Sequence, residues 1–423
     1  MLYATRTLLV ALLLLIPSAA HAEDLIGLFL SWQQDPTTTM TVTWVDIYAH
    51  SSPTILYRKY DGEKHSPETK WQKATPASQS TVGPTTLQLR RTELTGLEPG
   101  TRYEFGIGDK TEDVTHFWRF DTMPAKLTEP LTFVAGGDMM HSRELLDDMN
   151  REMQKLDPDF AVLMGDIAYE NGVYGTHWID WLQSWRRYSV GKEKRLIPLV
   201  IGIGNHEVKG HYNGRIPQDA PYFYSIFALP GDRSYYALDF GKYLSLVILD
   251  TQHTQPVIGP QADWLGKALA ERADQQFLFA GYHFPAFGTA KGPKDGGAID
   301  APLALDLQKH WVPNFERYGM TAVFENDHHT FKRTHRIRNR ERDDENGILY
   351  LGDGCWGVEP RPVPKPGAAW WLAKAESRNH LWRVELDPNG EAKFEAIDAD
   401  GKVFDETEIE TPRTKPTQST PTK

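Results

Sequence analysis

Side chains that can bind metal ions follow one apolar run after another along this chain. Each run is rich in Val, Ile, Leu and Phe and stops at Gly-Asp, Gly-Asn or a His, a pattern that is typical of buried strands ending in loops. Because the carboxyl ends of strands in an open α/β sheet meet at one edge, we expect these side chains to lie close together. They are Asp138, Asp166, Tyr169, Asn205, His206, His283, Asp327, His328 and His329. Five such endings in order predict a metal centre and indicate a two-metal hydrolase.

The elements that must position these side chains fall into two parts of the chain. From Leu25 to about Thr122, short alternating runs separated by Pro, Gly, Ser and Asp predict a small β-sandwich. From Leu131 onward, apolar strands alternate with helical stretches, one of them with Ser142 as its N-cap, and this predicts a largely parallel, layered α/β core. We divide the chain into an all-β domain at residues 23–127, an α/β domain of β-sheets flanked by helices at residues 128–408, and a disordered polar tail at residues 409–423.

The first residues have the composition of a secretory signal peptide. Arg6 precedes a short apolar core, and Ala20 and Ala22 form a small-x-small pattern, so we predict that residues 1–22 are removed by cleavage after Ala22. The apolar run is too short to span a bilayer, which disfavours an uncleaved membrane anchor. We therefore expect a secreted or periplasmic protein with no membrane attachment after cleavage.

The composition suits an ordinary globular protein with room for two domains, since 40% of its 423 residues are hydrophobic. The formal net charge is −11, and it becomes one unit more negative without the signal peptide, which contains one Arg and no acidic residue. An acidic surface argues against nucleic acid as a stable partner, whereas bound cations would still allow a phosphate-containing substrate. The single cysteine, Cys355, excludes an intrachain disulfide, and its surroundings favour a buried small side chain over a nucleophile.

The motifs GGD, GDIAY, GNHE, GYH and NDHH, in this order and spacing, resemble those of the calcineurin-like metallophosphoesterases and, within them, the purple acid phosphatases. The segment from Leu94 to Phe105 resembles the corner of fibronectin type III-like modules, which are typical N-terminal domains of the plant-type enzymes. The resemblance implies a layered metallophosphoesterase sandwich after a fibronectin type III-like domain. It also implies two groups of metal ligands: Asp138, Tyr169 and His329 for a first ion, Asn205, His283 and Asp327 for a second, and Asp166 as the bridge.

The chemistry of two neighbouring cations asks for a similar arrangement. Two cations about 3.5–4 Å apart need an anionic bridge to offset their repulsion, and a Gly-Asp after a buried strand supplies one in Asp166. Tyr169 is a poor ligand until a strongly Lewis-acidic ion removes its proton, which indicates Fe(III) at the first site. Asn205 offers a neutral oxygen, so the second site is expected to hold a divalent ion, with Mn, Fe, Zn and Mg as the candidates.

The last motif departs from the family pattern. The family usually has Gly-His-x-His, whereas this chain has NDHH at residues 326–329. Pairing Asp327 with His329 keeps alternate residues on the same side, so we favour Asp327 as the ligand and keep His328 as the alternative. A carboxylate in place of a neutral imidazole favours a harder ion such as Mn(II), Fe(II) or Mg(II) over Zn(II).

A second departure lies in the loop after His283. Plant-type purple acid phosphatases carry a His pair there that contacts substrate, whereas residues 286–300 of this chain contain no His. The acid that protonates the leaving group must come from elsewhere, and His206 beside Asn205 is the best candidate. Lys291 and Lys294 offer charges for phosphate binding, and a flexible, solvated loop is the alternative interpretation.

These patterns indicate a secreted, dinuclear phosphoric-ester hydrolase. The favoured function is that of a purple acid phosphatase-like phosphomonoesterase that acts on small phosphate esters. A phosphodiesterase or nucleotidase on the same core is one alternative, because loops decide specificity. Another is a secreted binding protein with a degenerate catalytic site, for which NDHH is the supporting feature. The sequence makes no prediction of the oligomeric state.

Overall fold

The computed structural model describes residues 25–46, 54–62, 70–74, 78–211, 214–289 and 301–410. The predicted signal peptide, Lys291 and Lys294, and nearly all of the predicted tail lie outside the described residues. Within the described part of the chain, no helix combines the length and the apolar content that crossing a bilayer requires.

The first domain is an antiparallel β-sandwich. Its strands are β1 (Leu25–Ser31), β2 (Met40–Asp46), β3 (Ile55–Lys59), β4 (Gln72–Ala74), β5 (Ser78–Thr81), β6 (Gln88–Leu94), β7 (Arg102–Ile107) and β8 (Trp118–Asp121). One sheet has the order β1-β2-β6-β5 and the other β4-β3-β7-β8. The predicted all-β first domain is therefore confirmed.

The corner before β7 has the arrangement that the sequence predicts. Tyr103 is buried beneath the turn, and its hydroxyl accepts a hydrogen bond from the backbone N–H of Glu98 at 2.9 Å. Such a tyrosine corner closes the connection between two strands of a fibronectin-like sandwich, because the buried hydroxyl satisfies a backbone donor of the turn.

The second domain is a layered α/β structure. Its helices are α1 (Arg143–Leu156), α2 (Thr176–Tyr188), α3 (Pro221–Ile226), α4 (Pro260–Glu271), α5 (Pro302–His310) and α6 (Val312–Tyr318). Its strands are β9 (Leu131–Gly136), β10 (Phe160–Met164), β11 (Leu199–Gly202), β12 (Tyr236–Phe240), β13 (Leu244–Ile248), β14 (Phe277–Gly281), β15 (Ala322–Phe324), β16 (Phe331–Thr334), β17 (Ile337–Arg338), β18 (Glu341–Arg342), β19 (Leu349–Gly352), β20 (Leu372–Glu376), β21 (Leu381–Leu386), β22 (Ala392–Ile397) and β23 (Val403–Ile409). The last strand ends one residue beyond the predicted boundary at residue 408.

Two mixed sheets form the layers of this domain. The first has the order β11-β10-β9-β21-β22-β23, in which β9, β10 and β11 are parallel. The second has the order β12-β13-β14-β15-β19-β16-β20, in which β13, β14, β15 and β19 are parallel. The α/β class is confirmed, but the strands outside these parallel centres are antiparallel because short connections, such as the one from β12 to β13, reverse the chain.

Apolar side chains hold the layers together. Phe133 of β9 packs edge-on against Phe279 of β14 and Phe324 of β15, with ring centroids 5.6 and 6.1 Å away, so the two sheets meet face to face. Helix α1 begins as predicted, since the Ser142 hydroxyl accepts a hydrogen bond from the backbone N–H of Leu145 at 3.3 Å.

The two domains share one apolar interface. Strand β1 is buried along its whole length because its second face packs against α2. A Cβ atom on Gly27 would lie 2.9 Å from the Leu182 side chain, so the backbone of β1 approaches the helix closely. Trp32 packs edge-on against Phe160 and Phe240. The β-sandwich therefore packs directly against the α/β domain through apolar side chains.

Candidate metal centre

The carboxyl ends of the parallel strands bring the predicted site residues together. In the first sheet, Asp138 follows β9, Asp166 and Tyr169 follow β10, and Asn205 follows β11. In the second sheet, His283 follows β14, and the segment from Asp327 to His329 follows β15. Because the sheets pack face to face, these loops meet above the sandwich, and the predicted side chains of both sheets lie within contact distance of one another.

One group of donors contains Asp138, Tyr169 and His329. The Tyr169 hydroxyl donates to Asp138 Oδ1 at 2.8 Å and lies 3.0 Å from His329 Nε2. His329 Nε2 lies 3.1 Å from the same Asp138 oxygen. Three donor atoms from three loops therefore converge on one point, and Asp138 and His329 are buried while Tyr169 is partly buried.

A second group surrounds the imidazole of His283. Its Nε2 atom lies 3.1 Å from Asn205 Oδ1, 3.2 Å from Asp166 Oδ2 and 3.9 Å from Asp327 Oδ1. Its other ring nitrogen, Nδ1, lies 2.9 Å from the Met164 carbonyl oxygen. In the neutral ring the proton then resides on Nδ1, so that Nε2 presents a lone pair to the group, which is how metal-binding histidines are usually held.

Asp166 lies between the two groups. Asp138, Asp166 and His283 each offer a ligand atom within 4.8 Å of the others, and all three are buried. The Asp166 Oδ2 atom is buried, and it lies 3.2 Å from His283 Nε2 and 3.8 Å from His206 Nε2. The groups are also tied directly, because the backbone N–H of Asp327 donates to Asp138 Oδ2 at 2.9 Å.

The protonation of these side chains in the metal-free chain fits a cation site. Burial acts to raise the pKa of Asp166, but the His283 and His206 imidazoles outweigh it and hold that pKa well below its usual range. Burial lowers the pKa of His283, but Asp166 and Asp138 outweigh that effect and raise it to about 10. In the metal-free chain, the protonated imidazole of His283 therefore supplies the positive charge that the neighbouring carboxylates require. A metal ion that binds there would displace this proton.

Tyr169 retains its proton in the metal-free chain. Its burial, together with the neighbouring carboxylates of Asp138 and Asp166, raises the pKa of the phenol well above its usual value. Only a strongly Lewis-acidic cation could remove that proton at neutral pH. The environment of Tyr169 is therefore compatible with a trivalent ion in the first group of donors.

The backbone holds most of these residues in a rarely occupied conformation. Five of the seven predicted ligands have a left-handed backbone: φ is +57° for Asp138, +53° for Asp166, +54° for Tyr169, +76° for Asp327 and +55° for His329. Non-glycine residues seldom adopt such angles, and they concentrate at functional sites. Gly204 allows a further close approach, since a Cβ atom there would lie 2.3 Å from Asp166 Oδ1.

The two candidates in NDHH point in different directions. Asp327 faces the His283 imidazole, as described above. His328 is fully buried, and its Nδ1 lies 3.2 Å from Asp353 Oδ2 and 2.8 Å from the backbone nitrogen of Thr289. His328 thus belongs to a packed layer beneath the site, although its Nε2 lies 3.8 Å from Asp327 Oδ2.

A buried ion-pair network, which the sequence did not indicate, supports this layer. The Lys332 ammonium group donates to Glu325 Oε2 at 2.5 Å and to Asp353 Oδ1 at 3.3 Å, and all three side chains are fully buried. Burial acts to raise the pKa of Asp353, but Lys332 and His328 outweigh it and lower the pKa to about 2. The network connects the strands on either side of the Asp327 loop.

His206, the predicted proton donor, borders the site. Its Nε2 lies 3.8 Å from Asp166 Oδ2, and its Nδ1 lies 2.5 Å from Asn171 Oδ1. The ring centroid lies 4.3 Å from that of Tyr169, and the two rings are tilted by 31° to each other. Burial is the main cause of the lowered pKa of His206, and it makes the protonated ring a stronger acid.

Glu207 was also missed in the sequence, although it completes the motif GNHE. It is fully buried, and its carboxylate accepts hydrogen bonds from the backbone N–H groups of Asp166, Ile167 and Gly204 at 2.7, 2.8 and 2.8 Å. Burial and the Asp166 charge raise its pKa to about 7. An acidic residue directly after a predicted ligand, Asn205, and the predicted proton donor, His206, was the signal that could have revealed it.

Comparisons with known proteins match both domains. A family model described as "Purple acid Phosphatase, N-terminal domain" matches residues 26–122, and one described as "Calcineurin-like phosphoesterase" matches residues 131–312. The second segment contains the predicted ligands from Asp138 to His283 and ends before Asp327. The order of the two matched domains is the order of the two domains of the fold.

Individual relatives are distant in sequence. Purple acid phosphatase 15 of Arabidopsis thaliana is 23% identical over 63% of this chain and 53% of its own length, and a purple acid phosphatase of Glycine max is 23% identical over 65% and 58%. The structure of a purple acid phosphatase from yellow lupin (Lupinus luteus) seeds superposes with a TM-score of 0.73 at 18% identity, covering 90% of this chain and 73% of that one. The chain thus spans a little over half the length of the curated relatives named here.

The fold and its matched segments define a calcineurin-like metallophosphoesterase domain behind a purple acid phosphatase-type N-terminal domain. The curated relatives named above and the solved structure to which this chain is similar are purple acid phosphatases.

Proposed function

We propose that this protein is a secreted phosphoric-ester hydrolase that holds two metal ions and acts on small phosphate monoesters. The single observation that carries the proposal is the division of seven side chains into two groups of donors with Asp166 between them. The family and the buried group of Asp138, Asp166 and His283 support it. The predicted signal peptide supports export to the periplasm or the exterior.

The donor set supports different ions in the two groups. Asp138, Tyr169 and His329 would hold Fe(III), because the phenol of Tyr169 binds as an anion. Asn205, His283 and Asp327 would hold a divalent ion, and the carboxylate of Asp327 favours Mn, Fe or Mg over Zn. When bound, such a pair supplies Lewis-acid stabilisation of the charge that develops on the phosphoryl group and lowers the pKa of a water molecule.

The residues of this chain would perform the remaining tasks. Asp166 offsets the repulsion between two positive charges. Asn171 Oδ1 accepts a hydrogen bond from Nδ1–H of His206, and this bond orients the ring with Nε2 facing the site. From that position a protonated His206 would deliver its Nε2 proton to the leaving oxygen of the ester, and the lowered pKa assists the transfer.

The decisive experiment compares two esters on metal-loaded protein. We expect p-nitrophenyl phosphate to be hydrolysed with a higher kcat/KM than its bis ester, and His206→Gln to lower kcat by about 100-fold, within the range for loss of a general acid. A higher kcat/KM for the bis ester would instead favour a phosphodiesterase or nucleotidase. If protein that contains both metals hydrolyses neither ester, the proposed hydrolase function is contradicted, and a secreted binding protein is favoured.

A further inference from the structure

A short segment, Trp356 to Arg361, runs along the side of the candidate metal centre that carries Asp138 and His329. The backbone N–H of Gly357 donates to the Asp138 carbonyl at 3.0 Å, and that of Arg361 donates to the His329 carbonyl at 2.9 Å. The segment therefore contacts loops from both sheets, and it places the side chain of Arg361 at the site.

Among the residues that the structure describes, one hydrogen bond holds the guanidinium group of Arg361 next to the site. Its Nη1 donates to the Asp327 carbonyl oxygen at 3.1 Å, and the side chain is half-buried. A guanidinium has five N–H donors in a planar fork, so most of its hydrogen-bonding capacity remains after one contact to a carbonyl.

His141 contacts the same segment, since its backbone N–H donates to the Gly357 carbonyl at 2.8 Å. Its ring is exposed and stands 4.8 Å from the ring of Tyr169 and 5.1 Å from that of His329. The backbone N–H of Glu359 donates to His141 Nδ1 at 3.1 Å. The neutral ring therefore carries its proton on Nε2, which makes that atom a hydrogen-bond donor on the opposite side from Glu359.

The negative charge of the site is a reason for hydrogen-bond donors such as Arg361 and His141 to lie beside it. Asp327 adds a negative charge where a neutral imidazole is usual in the family, and this weakens the attraction for a phosphate dianion. A guanidinium bonded to the backbone of Asp327 restores positive charge within the same loop. Arginine is also the side chain whose planar fork matches two phosphate oxygens at once.

From this geometry we propose that Arg361, with His141 as a neighbouring donor, binds the phosphoryl oxygens of the substrate. The proposal rests on the proposed phosphatase function. It deepens that function, because a guanidinium at this position would favour dianionic monoesters. A monoester presents one more charged terminal oxygen to the guanidinium than a diester does. Arg361 is thus a substrate-binding residue, and its loss affects monoesters more than diesters.

The test measures binding of inorganic phosphate to metal-loaded protein by calorimetry. Arg361→Gln is expected to raise the Kd of phosphate about tenfold, which corresponds to ~1.4 kcal/mol. It is also expected to raise the KM for p-nitrophenyl phosphate by a similar factor and that for the bis ester less than about threefold, which corresponds to ~0.7 kcal/mol. Arg361→Lys retains the charge and recovers part of the affinity.

A matched control separates substrate binding from general effects of removing an arginine. Arg378 is also partly exposed but forms ion pairs with Glu376 and Asp398. Arg378→Gln is expected to leave the Kd of phosphate and both KM values unchanged. The metal content and the visible spectrum of Arg361→Gln must equal those of the wild type, because a purely structural role at the Asp327 loop would disturb the second cation.

Three outcomes overturn the proposal. An unchanged Kd of phosphate in Arg361→Gln contradicts it while leaving the phosphatase function intact. Loss of phosphate affinity together with loss of one metal equivalent shows that Arg361 acts only by holding Asp327. Wild-type protein that binds two metals but neither binds phosphate nor hydrolyses an ester would overturn the proposed function as well.

Discussion

The buried carboxylate of Glu207 accepts a hydrogen bond from the backbone N–H of Asp166 at 2.7 Å, and the same oxygen accepts one from Gly204 at 2.8 Å. One side chain therefore fixes the loop after β10 against the loop after β11. These loops carry Asp166 and Asn205, so Glu207 sets the spacing between two proposed ligands without touching a metal ion.

Replacing Glu207 by Gln is expected to lower the affinity for the second metal ion by about 10–100-fold, the range for residues that orient ligands. A glutamine has a single acceptor oxygen, and its amide NH2 group would face backbone donors. Competition with a chelator measures the affinity. The exposed Glu271→Gln, whose side chain is 74% exposed, serves as the control. Equal metal affinity in Glu207→Gln and the wild type would show that the loops hold their spacing without this carboxylate.

Tyr169→Phe is expected to abolish any visible absorption band of the iron-loaded protein. The phenolate oxygen is the donor that gives such a band, and phenylalanine has no oxygen to offer. Tyr350→Phe is a suitable comparison, because Tyr350 is fully buried and its hydroxyl makes no hydrogen bond with the described residues. A visible band that persists in Tyr169→Phe would refute Fe(III) at this site.

Asp327 and His328 can be distinguished by metal content. Asp327→Ala is expected to bind about one metal equivalent fewer, since it removes a donor from the second group. His328→Gln is expected to keep both ions, because His328 contacts Asp353 and Thr289 beneath the site. Asp327→His should shift the second site toward Zn(II) when equal amounts of Mn(II) and Zn(II) compete. The opposite pattern, with a metal lost only in His328→Gln, would reassign the ligand.

Lys332→Met is expected to lower the free energy of unfolding by about 3–5 kcal/mol, the usual cost of removing one partner from a buried ion pair. The carboxylates of Glu325 and Asp353 would remain in the core without their cation. Urea unfolding at neutral pH measures the change. Lys192→Met is the control, because its side chain is 83% exposed and 3.9 Å from its partner, so the change should stay within about 0.5 kcal/mol. A loss of stability no larger in Lys332→Met than in Lys192→Met would mean that the network contributes little.

The sequence reveals the part of the site that strand periodicity controls. Asp138, Asp166 and His283 each follow an apolar run directly, so the end of the strand predicts where the side chain lies. The α/β class and the β-sandwich follow from the same periodicities. The proposed ligands lie where the patterns placed them because parallel strands leave little freedom at their carboxyl ends.

Other parts depend on contacts between distant segments, which periodicity does not encode. Lys332 begins a stretch rich in charged residues, a composition typical of a solvated segment, yet it is fully buried against Asp353. Arg361 reaches the carbonyl of Asp327 across 34 residues. The order of the outer strands within each sheet also depends on such contacts, since short alternating runs do not reveal which strands of the sheet lie beside them. These features required the tertiary arrangement.

The bridging position of Asp166 is the centre of the account, and metal analysis of purified protein tests it most directly. We predict about two metal equivalents per chain in the wild type, and in Asp166→Asn a loss of at least one equivalent together with a large fall in the hydrolysis rate. Less than about half an equivalent in the reconstituted wild type, with no loss of rate in Asp166→Asn, would contradict a dinuclear hydrolase.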